Sequence, residues 1–181
     1  MHREISVRII IVLFPDSMKK RLLFICLGNI CRSPAAEGVM KAIVQSEWKD
    51  DEYEIDSAGI GSWHVGDLPD RRMRQCGAKR GYDFNSRARQ FKVADFDRFD
   101  YIFVMDRENE YDVCSMARSE SDKQKVRRLV DYLVDNKGAA TIPDPYYGNE
   151  RDFEYALDLI EDACRGVFDR LQAMDKCKQG I

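Results

Sequence analysis

The residue pair best suited to covalent chemistry is Cys26 and Arg32, a cysteine and an arginine with five residues between them. An ordinary cysteine, with a pKa of ~8.5, is mostly a thiol at neutral pH, and it attacks electrophiles only as a thiolate. Arginine stays charged, and its planar guanidinium can hold two oxygens of a phosphoryl group. The pair therefore predicts that Cys26 is a nucleophile and that Arg32 holds the phosphoryl group it attacks.

The five residues between this pair are suited to a loop that wraps around an anion. Gly28 lets the backbone approach a ligand closely, and Asn29 tolerates left-handed backbone angles and can brace the loop with its side chain. Inward-pointing N–H groups ahead of a helix N-terminus stabilise a thiolate and a phosphate alike. Ser33 can donate its hydroxyl hydrogen to the thiolate, cap the following helix, or do both. The predicted phosphate-binding residues are Leu27, Gly28, Asn29, Ile30, Cys31 and Ser33.

A candidate acid lies more than a hundred residues further on, in the sequence Asp-Pro-Tyr-Tyr-Gly at 144–148. Pro145 restricts Asp144 to extended backbone angles, which makes this loop rigid. A partly buried carboxylic acid near other negative charge can donate a proton to the leaving oxygen of a phosphate ester. As a carboxylate it can then accept a proton from water. We therefore predict that Asp144 is the general acid and afterwards the general base.

The elements that must position these residues alternate between strand and helix. Apolar and alternating runs predict four strands, at 21–26, 53–57, 101–105 and 140–142. Helical spacing and cap residues predict helices that begin at Ser33-Pro34, at 68–79, within 91–99, and at 107–116, 123–133 and 153–174. The alternation favours an α/β fold, a single doubly wound four-stranded parallel sheet with helices on both faces. The phosphate-binding loop directly follows the first strand, where such sheets bind ligands.

Length and composition fit one ordinary soluble domain. The chain has 181 residues, 44% of them hydrophobic, and its net charge of −3 does not suggest a nucleic-acid binder. The apolar run at 8–15 is too short to cross a membrane, and the six scattered cysteines are expected to be reduced, in the cytoplasm. Residues 1–17 are predicted to be an N-terminal extension, either disordered or the product of a misplaced start, and residues 18–181 the functional domain.

Taken together, the motifs from Met18 to the C-terminus resemble those of the low-molecular-weight protein tyrosine phosphatases. The resemblance rests on the segments 26–34, 56–59, 99–102, 105–106 and 144–148. The chain differs from the family at residues 1–17, which have no counterpart. It also differs at Arg80, which stands where some members carry a histidine that braces the loop asparagine. The sequence therefore leaves open how Asn29 is supported.

The resemblance implies a reaction without metal or other cofactor, through a phosphocysteine on Cys26, with Arg32 as phosphate clamp and Asp144 as acid and base. It implies a deep slot for an aromatic phosphate, walled by Trp63, Tyr146 and Tyr147. It also implies that Cys31 can form a reversible disulfide with Cys26. The expected substrate is a tyrosine-phosphorylated protein or a small aryl phosphate. We expect the protein to bind neither nucleic acid nor a membrane, and to be a monomer or a weak dimer.

Three other functions stay open from the sequence. An arsenate reductase of the same fold needs two further closely spaced cysteines, whereas Cys76 and Cys114 are far apart. A protein-arginine phosphatase resembles this chain but carries threonine where Ile30 stands. A phosphate-binding module without catalysis would not need nucleophile, clamp and acid together. His64 is interpreted as a solvated loop residue rather than a catalyst.

Overall fold

Four strands form one parallel sheet in the computed structural model, which describes residues 19–179. The strands are β1 (Lys20–Cys26), β2 (Tyr53–Gly59), β3 (Tyr101–Val104) and β4 (Val126–Arg128). They lie in the order β2-β1-β3-β4, and all three pairings are parallel. The predicted four-stranded parallel sheet is confirmed. The predicted extension at residues 1–17 lies outside the described residues.

Helices cover both faces of the sheet, because side chains of the central strand β1 alternate between two apolar clusters. Leu22 and Phe24 belong to one cluster, and Leu23 and Ile25 to the other. The first cluster is completed by α1 (Arg32–Ser46) and α6 (Glu150–Gln179). The second is completed by α3 (Asp95–Arg98) and α4 (Arg107–Ser115). The doubly wound arrangement predicted from the sequence is therefore confirmed.

The remaining helices are α2 (Arg71–Lys79), α5 (Glu120–Lys123) and two short 3-10 helices, Asp50–Glu52 and Leu129–Tyr132. The prediction placed the start of α2 at residue 68, which is three residues too early. The helix begins after Asp70, whose carboxylate accepts a hydrogen bond of 2.8 Å from the backbone N–H of Arg72. Among residues 19–179, no helix is both long and apolar enough to cross a membrane.

The fourth strand does not lie where the sequence predicted it. Residues 140–142 are not a strand, although Ile142 donates a backbone hydrogen bond of 3.0 Å to Met105. The strand is β4, inside the segment 123–133 that was predicted to be a helix. It pairs with β3 but has only three residues, two of which are arginines. Its sequence therefore has no apolar alternation from which a strand could be predicted. The apolar spacing that suggested a helix comes from the 3-10 turn that follows it.

Phe84 joins α1 and α2 on one side of the sheet. Its ring lies against Gly38 of α1 and Gly77 of α2, and a Cβ atom at either glycine would come within 2.4 Å of it. The side chain is 2% exposed. The two glycines therefore allow one aromatic ring to pack between the helices and fix the position of α2.

Candidate active site

The loop 27–31 connects β1 to α1 at the carboxyl edge of the sheet. Cys26 is buried at the end of β1, and Asn29 has the left-handed φ of 55° that its residue type tolerates. Gly59, at the end of β2, supports the loop from below. A Cβ atom there would lie 2.9 Å from both the Asn29 nitrogen and the Gly28 carbonyl carbon. The loop therefore rests directly on the α-carbon of Gly59.

A cavity of about 310 Å³ opens above this loop. It brings together most of the residues that the sequence singled out, although they come from three distant segments. The lining residues are Cys26, Leu27, Gly28, Ile30, Cys31, Trp63, His64, Asp144, Tyr146 and Tyr147. The predicted residues that do not line it, Asn29, Arg32 and Ser33, are buried behind the loop.

Ser33 contacts the cysteine rather than capping the helix. Its Oγ lies 3.0 Å from Cys26 Sγ and accepts a hydrogen bond of 2.9 Å from Asn29 Nδ2. Because Asn29 is a donor here, the Ser33 hydrogen is available to Cys26, with the Ala58 carbonyl 3.3 Å away as the alternative. The predicted N-cap role is wrong, since α1 begins at Arg32 and its cap position, Cys31, makes no side-chain cap bond.

Asn29 is braced by groups other than the residue at position 80. Its Nδ2 also donates to Ser57 Oγ at 2.8 Å, and its Oδ1 accepts from the Arg89 backbone N–H at 2.9 Å. Arg80 instead bonds to α6, with Glu154, Asp158 and Glu161 at 2.5 to 2.7 Å. The substitution at this position therefore leaves the asparagine fully supported, which answers the question that the sequence left open.

The Arg32 guanidinium is buried and bonded to two carboxylates. Nη1 donates to Asp106 at 2.6 Å and to the Ile142 carbonyl at 3.1 Å, and Nη2 donates to Asp144 at 2.8 Å. Burial alone would lower the pKa of Arg32, but the negative charge on Cys26 as a thiolate, on Asp144 and on Asp106 raises it. Nε has no hydrogen-bond partner among the described residues. A buried N–H without an acceptor is costly, so this donor suits a ligand oxygen.

Asp144 stands at the cavity wall with both carboxylate oxygens engaged. Oδ2 accepts from Arg32, and Oδ1 accepts from the backbone N–H of Tyr146 at 3.2 Å. The side chain is 41% exposed, so water and substrate can reach it. The acid loop, residues 144–148, therefore places a carboxyl beside the cavity that also contains Cys26.

Aromatic side chains form the rim of the cavity. Tyr146 and Tyr147 pack edge to face with ring centroids 5.0 Å apart, and Tyr147 is 97% exposed. Trp63 folds back over Gly61, where a Cβ atom would clash with its ring. The rim therefore offers accessible aromatic surface around the phosphate-binding loop.

His64 and Asp106 belong to the site although no role there was predicted for them. His64 is a partly exposed turn residue, as predicted, but its ring also lies against Gly28, and its Nδ1 is 3.1 Å from Asp67 Oδ2. Asp106 lies two residues after the end of β3 and bonds to Arg32. Its position was a usable signal, because the carboxyl ends of neighbouring parallel strands meet at one edge of the sheet.

Cys31 shares the cavity with Cys26, and both side chains are buried. Burial, followed by the charges of Cys26, Asp70 and Asp144, raises the pKa of Cys31 far above its usual value. It therefore stays a thiol, and both cysteines are free. Cys76, Cys114 and Cys164 do not line this cavity.

The model of one protein family, low molecular weight phosphotyrosine protein phosphatase, matches residues 21–177. The chain belongs to this family. A family member from Gallus gallus is 40% identical over 152 residues, which cover 83% of this chain and 95% of the relative. The predicted resemblance is thus confirmed over nearly all the described residues.

Solved structures of phosphatases agree with this membership. A protein tyrosine phosphatase from Entamoeba histolytica superposes with a TM-score of 0.83 at 44% identity, covering 87% of this chain and 99% of that one. The Drosophila arginine phosphatase DARP superposes with a TM-score of 0.77 at 33% identity, covering 83% and 96%. The family's fold therefore occurs in structures described with two different phosphoryl substrates.

Proposed function

We propose that this chain hydrolyses phosphotyrosine and other aryl phosphate monoesters through a phosphocysteine on Cys26. The observation that carries the proposal is the convergence of a thiol and a carboxyl on one cavity, with a buried arginine that bonds to the carboxyl and keeps an N–H without a partner among residues 19–179. Its substrate is a tyrosine-phosphorylated protein or a small aryl phosphate. The free, mostly buried cysteines support a reducing compartment, the cytoplasm.

In the first step the Cys26 thiolate attacks phosphorus as the bond from phosphorus to the aryl oxygen breaks. Protonated Asp144 gives its proton to that oxygen, so that a neutral phenol leaves. Before this transfer, while Asp144 is neutral, it attracts Arg32 less than a carboxylate does, so Nη2 can turn to the phosphoryl oxygens together with Nε, which has no partner in the part of the chain that the structure describes. The loop N–H groups and the guanidinium then stabilise the charge that spreads over these oxygens.

In the second step water attacks the phosphorus of the phosphocysteine. Asp144, now a carboxylate, takes a proton from that water, and the bond from sulfur to phosphorus breaks. The Ser33 hydroxyl, 3.0 Å from Cys26 Sγ, donates to the departing thiolate and makes it a better leaving group. Phosphate is released and the thiolate is regenerated for the next cycle.

Cys31 is proposed as the redox partner of Cys26. Peroxide would oxidise the Cys26 thiolate to a sulfenic acid, and the Cys31 sulfur would then displace water to form a disulfide. Its burial in the same cavity and its retention of the thiol proton support this order of events. Peroxide-treated Cys31→Ser protein should regain little activity with dithiothreitol, whereas full recovery would exclude the role.

The main proposal is tested by replacing the Cys26 sulfur with oxygen and measuring hydrolysis and binding. Cys26→Ser should not hydrolyse p-nitrophenyl phosphate but should still bind a phosphotyrosine peptide, whereas Cys114→Ser makes the same change outside the cavity and should stay active. Asp144→Ala should slow hydrolysis of poor leaving groups by about 10²-fold or more. Full activity of Cys26→Ser would refute the mechanism.

Arginine phosphatase activity is the second candidate, favoured by the similarity to DARP. Ile30 and the aromatic rim supply apolar contacts that suit a phenyl ring better than a guanidinium. The two functions are separated by measuring kcat/KM for matched phosphotyrosine and phosphoarginine peptides. Faster turnover of phosphoarginine would replace our proposal with the second candidate.

A further inference from the structure

The acid loop is joined to α2 through one side chain, that of Arg72. Its Nη2 donates to the Tyr146 carbonyl at 3.0 Å, and its Nη1 lies 3.5 Å from the Gly148 carbonyl. The guanidinium also lies over the rings of Phe153 and Tyr146, at 4.5 and 5.6 Å from their centroids. Among the described residues, no other side chain of α2 hydrogen-bonds to this loop.

Arg72 is itself held in place from the other side. Asp70 accepts hydrogen bonds from its Nε at 3.0 Å and from its Nη2 at 2.8 Å, in the two-pronged geometry that fixes a guanidinium plane. These bonds raise the pKa of Arg72 and lower that of Asp70. The backbone N–H of Asp70 donates to the Ile30 carbonyl at 2.7 Å. One chain of contacts therefore runs from the phosphate-binding loop through Asp70 and Arg72 to the acid loop.

We propose that Arg72 is a positioning residue, which holds the acid loop so that the Asp144 carboxyl faces the leaving oxygen. The inference rests on the proposed function, because it assigns the effect of Arg72 to the proton that Asp144 donates. Tyr146, whose carbonyl Arg72 binds, also donates the backbone hydrogen bond to Asp144 Oδ1. Loss of Arg72 therefore frees the residue that orients the acid. Misplacement of a reacting group by about 1 Å can cost ~10²-fold in rate.

The experiment compares kcat/KM for two substrates, p-nitrophenyl phosphate, whose leaving group needs little protonation, and phenyl phosphate, whose leaving group needs much. Arg72→Ala should lower kcat/KM by about 10- to 100-fold for phenyl phosphate and by less than about 3-fold for p-nitrophenyl phosphate. The kcat/KM of Arg72→Lys for phenyl phosphate should lie between those of Arg72→Ala and the unchanged protein, because lysine keeps the charge but not the planar, two-pronged donor geometry. The matched control is Arg71→Ala, which removes the same charge from the exposed neighbouring position.

A second background tests whether Arg72 acts through Asp144. In Asp144→Asn protein, Arg72→Ala should cause no further loss with phenyl phosphate, because the general acid is already absent. An equal loss for both substrates, an equal effect of Arg71→Ala, or additive losses in the Asp144→Asn background would each overturn the proposal. Failure of the proposed function is distinguishable, since the unchanged protein would then hydrolyse neither substrate.

Discussion

The Ser33 hydroxyl lies between Asn29, which donates to its oxygen, and Cys26, which can accept its hydrogen. Because Asn29 is the donor to this oxygen, the hydroxyl hydrogen is available to Cys26 Sγ at 3.0 Å or to the more distant Ala58 carbonyl at 3.3 Å. A donor aimed at sulfur stabilises the thiolate both before attack and when it departs from phosphorus. The same hydroxyl therefore matters most in the second step, where sulfur is the leaving atom.

Ser33→Ala is expected to lower kcat by about 10- to 100-fold, because the departing thiolate loses one preorganised donor. Phosphocysteine should accumulate, and rapid mixing with p-nitrophenyl phosphate should show a burst of nitrophenol. Ser57→Ala is the matched control, since it removes the other hydroxyl that Asn29 donates to without touching Cys26. A similar burst in Ser57→Ala would show that the effect comes from the loop and not from the missing donor.

At the residue scale, the sequence predicted roles in the site best for residues whose type and neighbours suit few roles other than catalysis. Cys26, Arg32 and Asp144 stand in short segments whose chemistry can be argued from the side chains alone. Asp106 and Arg72 could not be found in this way, because aspartate and arginine are common on surfaces. Their contacts appear only when three distant segments are brought to one edge of the sheet.

Asp162 of α6 fixes the loop that precedes the acid loop. Its carboxylate accepts backbone hydrogen bonds from Val134, Asp135 and Asn136, at 2.8 to 3.1 Å. Burial would raise the pKa of Asp162, but these donors outweigh it and lower the pKa below the ordinary 3.8. The unfolded chain therefore binds this proton more tightly than the folded one, so the contribution to stability is full above pH 3.8 and is lost at lower pH.

Asp162→Asn is expected to lower the free energy of unfolding by about 1 to 2 kcal/mol at pH 7, because an amide has one acceptor oxygen and no charge. The difference from the unchanged protein should shrink as the pH falls below 4, which urea unfolding at several pH values would measure. Asp169→Asn, on the exposed side of the same helix, should change little. A difference that stays constant with pH would show that the carboxylate charge is not the cause.

Long apolar elements were predicted well and short polar ones were not. β1, β3 and α6 bury continuous or periodic apolar residues, so burial and sequence pattern coincide. β4 exists because β3 offers it a free edge, and nothing within its own three residues requires an extended backbone. The start of α2 was predicted too early, at the apolar Leu68. The helix begins later because the Asp70 carboxylate caps it.

On the scale of the whole molecule, the two loops of the site depend on helices that pack on one face of the sheet. α1 follows the phosphate-binding loop, α6 follows the acid loop, and α2 contacts both loops through Asp70 and Arg72. Phe84 packs between α1 and α2. The relative placement of nucleophile and acid is therefore a property of this packed layer.

Phe84→Ala is expected to destabilise the fold by about 3 to 5 kcal/mol, since it leaves a cavity between two helices. Phe84→Leu should cost less because it refills part of that volume. Thermal unfolding measures both, and kcat/KM per folded molecule for phenyl phosphate should fall more than for p-nitrophenyl phosphate if α2 shifts. Equal stability of the alanine variant and the unchanged protein would contradict the packing argument.

The contact between Gly59 and the loop has a consequence for inhibitors of this chain. No side chain can be added at position 59 without pushing on backbone atoms 2.9 Å away, so the floor of the cavity offers little room for resistance mutations. Trp63 and Tyr147, which are 71% and 97% exposed, can change at small cost to the fold. A drug that depends on the aromatic rim would therefore lose potency through single substitutions, whereas a substitution at Gly59 would also displace the loop on which the nucleophile depends.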